Sequence, residues 1–427
     1  MSYRAISPVD GRYYEEVKEV SEFFSELAIF RARIEVEILY LRFLMNLGIV
    51  PKQEIPAIHI SSREIKEIKE IEKRVGHDVK AVELFIRNRF NKEGLNSLSP
   101  YVHIGLTSED CNSIAYSILL LKFTRRILLP LYSSLALKIA GIASSEAETP
   151  MLARTHGRPA LPTTFGKEMA VFAVRLAERV SKLKAIKPVA KVSGAVGTYA
   201  SFKLLAGLDW PEELSKFIVS LGLEPAKYTS QVAPSERLSD ILHYVINVNQ
   251  IMISLARDLW QYQMLDYIHF TRAGKISSST MPQKVNPVDI ENAEGNAEIS
   301  NSLLVLLAYR LQITRLQRDL SDSAIKRTIG QAFAHSIIAC KRLLSSLDSM
   351  QVDGHRMKEE LLSHPEVKAE AAQISLRLKG DQLGYEKVLE SIEKGDKQAI
   401  KVHDDYLGFS VELAKGCQEE VKKLLAL

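Results

Sequence analysis

The sequence predicts an all-α protein organised around a bundle of long helices, and three observations predict it. Apolar residues recur in steps of three and four along most of the chain. One stretch, Ser235 to about Leu265, sustains that spacing as a heptad seam. Nothing in the pattern supports a full sheet.

Taken in order, Ile65, Ile68, Ile71 and Val75 mark an apolar stripe from Ser62 to Val75, which predicts a surface helix. The charge run from Arg63 to Arg74 alternates in sign and forms its solvated side. A second helix starts at Asp78, with Val79, Val82 and Phe85 or Ile86 turned inward. Gly94 to Pro100 reads as a linker. Thr107 to about Ser144 is a long helix interrupted at Pro130. Short strands fit around Lys191 to Tyr199. Leu238, Ile241, Val245, Val248, Met252, Leu255 and Leu259 make the seam of the Ser235–Leu265 helix. Pro287 to about Leu320 is the last long segment, and the bundle ends near Ser346 to Gly354. The expected division is an N-terminal helical domain (1–97), a central bundle for oligomerisation and catalysis (98–348) and a C-terminal helical domain (349–427). Helices this long and apolar are usually covered by oligomerisation.

Composition narrows the function. With 46% hydrophobic and 25% charged residues, the 427-residue chain can bury a large core. A net charge of +4 without a basic tract argues against nucleic acid as a partner. Three cysteines, Cys111, Cys340 and Cys417, lie far apart and form neither a disulfide framework nor a zinc spacing. The polar start, Met1 to Arg12, is not a signal peptide, and apolar runs such as Ile118 to Leu121 are too short for a bilayer. The expectation is a cytoplasmic protein with no membrane partner.

Five stretches break the periodicity. The longest is Ser277-Ser278-Ser279-Thr280-Met281-Pro282-Gln283-Lys284-Val285-Asn286-Pro287. It reads as a loop ending at a helix, with Asn286 as N-cap, Pro287 at the first helical position and Asp289 as capping-box acid. A plain serine run is a surface linker, but the ordered string argues against one. The second stretch is Arg154-Thr155-His156-Gly157-Arg158-Pro159. A lone histidine is more often structural, yet one held on a turn titrates near neutrality, as a proton donor requires. In Thr107-Ser108-Glu109-Asp110, Thr107 and Asp110 suit a capping box. Plain capping explains the pattern, but the same geometry offers N–H groups and hydroxyls to a carboxylate. The fourth, Gly76-His77-Asp78-Val79-Lys80, opens a helix. The fifth is Arg318-Asp319-Leu320-Ser321-Asp322-Ser323 followed by Arg327. Ser323 and Arg327 are four apart and share a helix face, although surface ion pairing alone accounts for such arginines.

The string Ser-Ser-x-Met-Pro-x-Lys-x-Asn-Pro resembles the signature of the fumarase/aspartase superfamily. Within it the chain is similar to the adenylosuccinate lyase family. The resemblance rests on Ser7-Pro8-Val9-Asp10-Gly11-Arg12-Tyr13, His77-Asp78-Val79-Lys80-Ala81-Val82-Glu83, Thr107-Ser108-Glu109-Asp110, Arg154-Thr155-His156-Gly157, Gly194-Ala195-Val196-Gly197 and Gln317-Arg318-Asp319-Leu320. It implies a three-domain, fumarase/aspartase-like all-α fold with a long central bundle. It also implies β-elimination of fumarate from adenylosuccinate, and from the analogous succinylated carboxamide ribotide. The assembly implied is a homotetramer whose active sites are each built from three chains, and the reaction implied needs no metal or organic cofactor.

By motif position, Ser278 resembles the family's base and His156 its general acid. The residues alone leave Ser277, Ser278 and Ser279 open. Lys284 and Asn286 would hold the succinyl carboxylates, Thr107 and Ser108 the fumarate end, and Gln231 the substrate's carboxylate or base region. Arg12, Tyr13, Arg318, Ser323 and Arg327 would surround the nucleotide phosphate. His77, with Asp78 beside it, would orient that phosphate or support His156. Ser277, Gln283 and Gly76 depart from the residues common at their positions. Argininosuccinate lyase is the nearest rival, since it shares the serine loop. Arg12-Tyr13 and the Arg318/Arg327 pair argue against it, because its substrate lacks a phosphate. Fumarase and aspartase are weaker rivals for the same reason. A non-catalytic scaffold is a rival of another class, which retention of His156 and Ser278 opposes.

Overall fold

The computed structural model describes residues 6–56, 58, 60–271, 280–281, 283–395 and 406–426, and helices dominate them. Strands among the described residues form three two-stranded ladders. The chain is all-α as expected, because its apolar residues repeat with helical spacing. It divides into two compact units, each discontinuous in sequence. One holds Met1–Leu129, Leu183–Asn247 and Ile299–Ile338; the other holds Pro130–Lys182, Val248–Glu298 and Ala339–Leu427. This is a different cut from three consecutive segments. The Glu236–Met264 helix has 29 residues, ~44 Å at 1.5 Å per residue, so its two ends serve different cores.

In the first unit the Glu26–Asn46 helix starts at Ser25, whose Oγ accepts from the Ala28 N–H at 3.2 Å. Its inward face packs Tyr40, Leu41 and Leu44 with Val82, Ile86, Ile114, Phe202 and Trp210. The buried polar tips are satisfied: Tyr40 Oη donates to the Ile104 carbonyl at 2.9 Å and Trp210 Nε1 to that of Ala206 at 3.0 Å. The Ser62–Val75 helix has a capping box of Ser61 and Glu64 and ends at Gly76, φ +68°. Ile68 and Ile71 are buried as expected, whereas Val75, the last helical residue, is exposed. The Asp78–Lys92 helix buries both Phe85 and Ile86. The expected linker at Gly94 to Pro100 is instead packed, with Leu95 and Leu98 buried.

Pro130 does not interrupt its helix. Ser108–Phe123 passes through a π-turn at Thr124–Leu128 into Leu129–Ser145. The wider turn accommodates a proline that has no N–H and crowds the carbonyl four residues back. By length and composition Ser108–Ser145 is apolar enough to cross a membrane, contrary to the reading from short runs. Ile114, Phe123, Leu128, Leu135 and Ile139 are nevertheless buried against protein, the pattern of a core helix.

The seam of the Glu236–Met264 helix is buried from Ile241 to Leu259, with Leu238 half-buried. The next long helix, Val288–Arg310, stops ten residues short of Leu320. Asp319 draws the chain into a turn there, accepting from the N–H groups of Arg315 (3.0 Å) and Ser321 (2.9 Å). The helix also begins one residue late for Asn286 to be its N-cap. The Pro287 carbonyl accepts from Ile290 at 3.0 Å, and Asp289 bonds Arg342 and Ser345 at 3.0 Å each. The strands expected at Lys191 to Tyr199 reduce to Val189–Ala190, parallel to Glu224–Pro225.

The second unit contains the largest ladder, an antiparallel hairpin of Pro150–Thr155 and Arg158–Thr164. Glu360 of the Gly354–Ser363 helix pairs with Arg154 on it. Phe165, Tyr262 and Tyr267 pack edge-to-face and stacked beside Ile268–Phe270, which pairs with Met350–Val352.

Candidate active site

A cleft of about 610 Å³ opens in the first unit, walled by the starts of the Asp78–Lys92 and Ser108–Phe123 helices, by Gln231 and by residues 318–327. Its framework is a buried ion pair. Asp110 Oδ1 lies 2.8 Å from Lys191 Nζ, and both side chains are wholly excluded from solvent. The Asp110 carboxylate also accepts from the N–H groups of Thr107 (2.8 Å), Ser193 (3.0 Å) and Gly194 (3.2 Å). Lys191 donates a second bond to the Gly194 carbonyl at 2.9 Å. Burial outweighs the attraction of Asp110 and pulls the Lys191 ammonium below its ordinary value. Ser193 Oγ meets Thr229 Oγ1 at 2.6 Å, and the Gln231 N–H donates to the Gln317 carbonyl at 3.2 Å. The ion pair thus joins the Thr107 helix start to the glycine loop, and the Ser193–Thr229 contact joins the loop to the segment before Gln231.

On another wall, Arg33 donates to Asp78 Oδ2 at 2.7 Å and to Asn112 Oδ1 at 2.9 Å. Burial raises the Asp78 pKa, but Arg33 outweighs it and holds the carboxyl below its ordinary range. His77 caps the helix, its Nδ1 accepting from the Lys80 N–H at 3.4 Å, and is half exposed. The third wall alternates charges: Glu109 lies 2.9 Å from Arg318 and 3.0 Å from Lys326, and Asp322 lies 3.3 Å and 2.9 Å from the same two cations. Burial opposes ionisation of Glu109, and Lys326 and Arg318 overcome it, so its pKa is lowered. Arg318 Nε is buried with no hydrogen-bond partner among the described residues. The cleft therefore offers hydroxyls and helix-start N–H groups beside guanidinium and ammonium groups, a donor set for an anionic ligand.

In the second unit, His156 and Gly157 form the two-residue tip of the hairpin, at φ 52° and 74°. That left-handed pair suits the twist of a tight hairpin and leaves the imidazole exposed.

A family profile described as "Lyase" matches residues 11–298, and one described as "Adenylosuccinate lyase C-terminal" matches residues 314–426. Adenylosuccinate lyase of Legionella pneumophila (strain Corby) is 36% identical over 402 residues, covering 90% of this chain and 88% of the relative. The chain belongs to the adenylosuccinate lyase family. The Escherichia coli (strain K12) adenylosuccinate lyase is 36% identical over 96% of this lyase and 94% of the relative. That of Dictyostelium discoideum is 37% identical over 94% and 90%. Among solved structures, 3-carboxy-cis,cis-muconate lactonizing enzyme from Pseudomonas putida aligns at a TM-score of 0.76, 18% identity, covering 96% of this lyase and 99% of that chain. A fumarate lyase from Mesorhizobium sp. BNC1 aligns at 0.73, again at 18% identity, covering 96% and 97%. The lyase shares the fold of both.

Of the residues predicted for the lyase site, His77, Asp78, Thr107, Ser108, Gln231, Arg318, Ser323 and Arg327 line the cleft together. Arg12 and Tyr13 do not line it; they sit in the N-terminal turn, with the guanidinium 5.9 Å from the Tyr13 ring centroid. His156, Lys284 and Asn286 belong to the second unit. Ser278, with Ser277 and Ser279, lies outside the described residues. Sequence reasoning missed Arg33, Glu109, Asn112 and Lys326 on the cleft wall. Arg33 carried a usable signal, since an arginine on the apolar face of the Glu26–Asn46 helix needs a buried partner. Lys326 carried only the i,i+4 spacing to Asp322, because its other partner, Glu109, lies more than two hundred residues away.

Proposed function

We propose that this lyase eliminates fumarate from adenylosuccinate to give AMP, and from succinylaminoimidazole carboxamide ribotide to give aminoimidazole carboxamide ribotide, in purine nucleotide biosynthesis. The observation that supports the reading best is the cleft itself: eight residues expected from scattered motifs meet on its walls. The small-molecule substrate brings two kinds of anion, carboxylates and a phosphate, and the walls hold donors for both.

In this reaction a base takes the proton beside a carboxylate, an aci-carboxylate builds up, and an acid protonates the departing nitrogen. His156 is the acid, exposed on the hairpin tip. Ser278 is the base, a role that requires donors or positive charge to stabilise its alkoxide, and Lys284 and Asn286 stabilise the carboxylate charge. Thr107, Ser108 and Gln231 hold the succinyl end. Arg318, Ser323 and Arg327 hold the phosphate, with Arg12 and Tyr13 closing over it and His77 orienting it. The working form is a cytoplasmic homotetramer whose sites draw residues from several chains, and whose subunits keep the 1–97, 98–348 and 349–427 order.

The test is a fumarate-release assay with adenylosuccinate and argininosuccinate side by side. AMP and fumarate from the first alone are expected. Activity on argininosuccinate alone would overturn the assignment of the phosphate-site arginines.

A further inference from the structure

Three of the four cations on the cleft wall are already matched by carboxylates: Arg33 by Asp78, and Arg318 and Lys326 by Glu109 and Asp322. Arg327 makes no ion pair among the described residues. The matched quartet is neutral and largely shielded from water, yet poorly satisfied. Arg318 Nε is buried without a hydrogen-bond partner among the described residues. An orphaned buried donor of this kind is costly, and a ligand that supplies an acceptor relieves it. Lys326 belongs to this wall by geometry: its side chain is 22% exposed, and its ammonium is shared between two carboxylates on different helices.

We propose that Lys326 is a further cation of the ligand's phosphate site, and that Glu109 holds the place of that phosphate on Arg318 and Lys326. Binding exchanges a carboxylate for a dianionic phosphate on Arg318 and Lys326 and gives Arg318 Nε an acceptor. Glu109 thereby competes with the ligand while keeping both side chains in position. The inference rests on the substrate class proposed above, so its test separates the two.

Binding of AMP, adenosine and inorganic phosphate is measured by calorimetry on the full-length protein and on Lys326→Met, Lys326→Arg and Glu109→Gln. Lys326→Met is expected to weaken AMP and phosphate by about tenfold or more, and Lys326→Arg by no more than about threefold. Glu109→Gln is expected to tighten AMP by about threefold, with adenosine unchanged in every variant. An unchanged AMP affinity in Lys326→Met, an equal loss for adenosine, or a wild type that binds neither AMP nor phosphate would overturn the assignment. Weaker AMP binding by Glu109→Gln would remove the place-holding role. Absence of fumarate release from adenylosuccinate by a protein that binds AMP sinks the proposed reaction and leaves the Lys326 result standing.

Discussion

Two histidines stand at positive φ and do different things. His156 is exposed on its hairpin tip, whereas His103, φ 62°, is only partly exposed, with Nδ1 2.6 Å from Glu37 Oε1. If His156 is the general acid, its replacement by alanine should lower kcat by ~10²–10⁴ and remove one limb of the pH–rate profile. A profile of unchanged shape would refute the role. For His103, burial lowers the pKa but the hydrogen bond and charge of Glu37 outweigh it, so the folded value lies above the ordinary 6.5. A raised pKa means the protonated form stabilises the fold. That contribution is fully present below pH 6.5 and is lost as pH rises through the folded value. His103→Gln should therefore cost on the order of 2 kcal/mol at pH 6 and clearly less at pH 9. Equal costs in urea unfolding at both pH values would show that the imidazolium charge contributes nothing.

At the scale of elements, the glycine loop illustrates how a motif acquires its shape. Gly197 sits at φ +77°, and an added Cβ would lie 2.0 Å from the Thr229 carbonyl oxygen. Gly197→Ala should therefore destabilise by at least ~1–3 kcal/mol from backbone strain alone and loosen the Thr229–Gln231 segment, raising KM. Gly207, with open space around its Cα and no positive φ, is the control; an alanine there should change neither thermal midpoint nor KM. Equal effects at both positions would mean that the close approach to Thr229 does not matter. Helix periodicity was legible at this scale because burial follows the stripe: Ile68, Ile71, Val79 and Val82 all point inward. Element ends were less so. The π-turn before Pro130 and the turn at Asp319 depend on bonds that compete with the helix, and spacing does not record them.

At the scale of the whole molecule, the exposed apolar side chains Val305, Leu306, Tyr309, Ile313 and Leu316 are those an assembly would cover. If the sites are shared between chains, mixing inactive Ser278→Ala and His156→Ala proteins should restore part of the activity, because some sites then receive both intact residues. Failure after verified subunit exchange would count against shared sites.

The sequence by itself determined the helical class, the seam from Ile241 to Leu259, and the motifs that supply the cleft. These depend on local spacing and on side-chain chemistry, which the order of residues carries directly. Only the tertiary structure decided that Asp110 and Lys191 form the buried bridge behind Thr107, that Arg33 reaches Asp78 and Asn112, and that Glu109 sits between Arg318 and Lys326. Each is a pairing between residues distant in the chain, selected because a buried charge must find its opposite, and that requirement names no partner until the chain has folded.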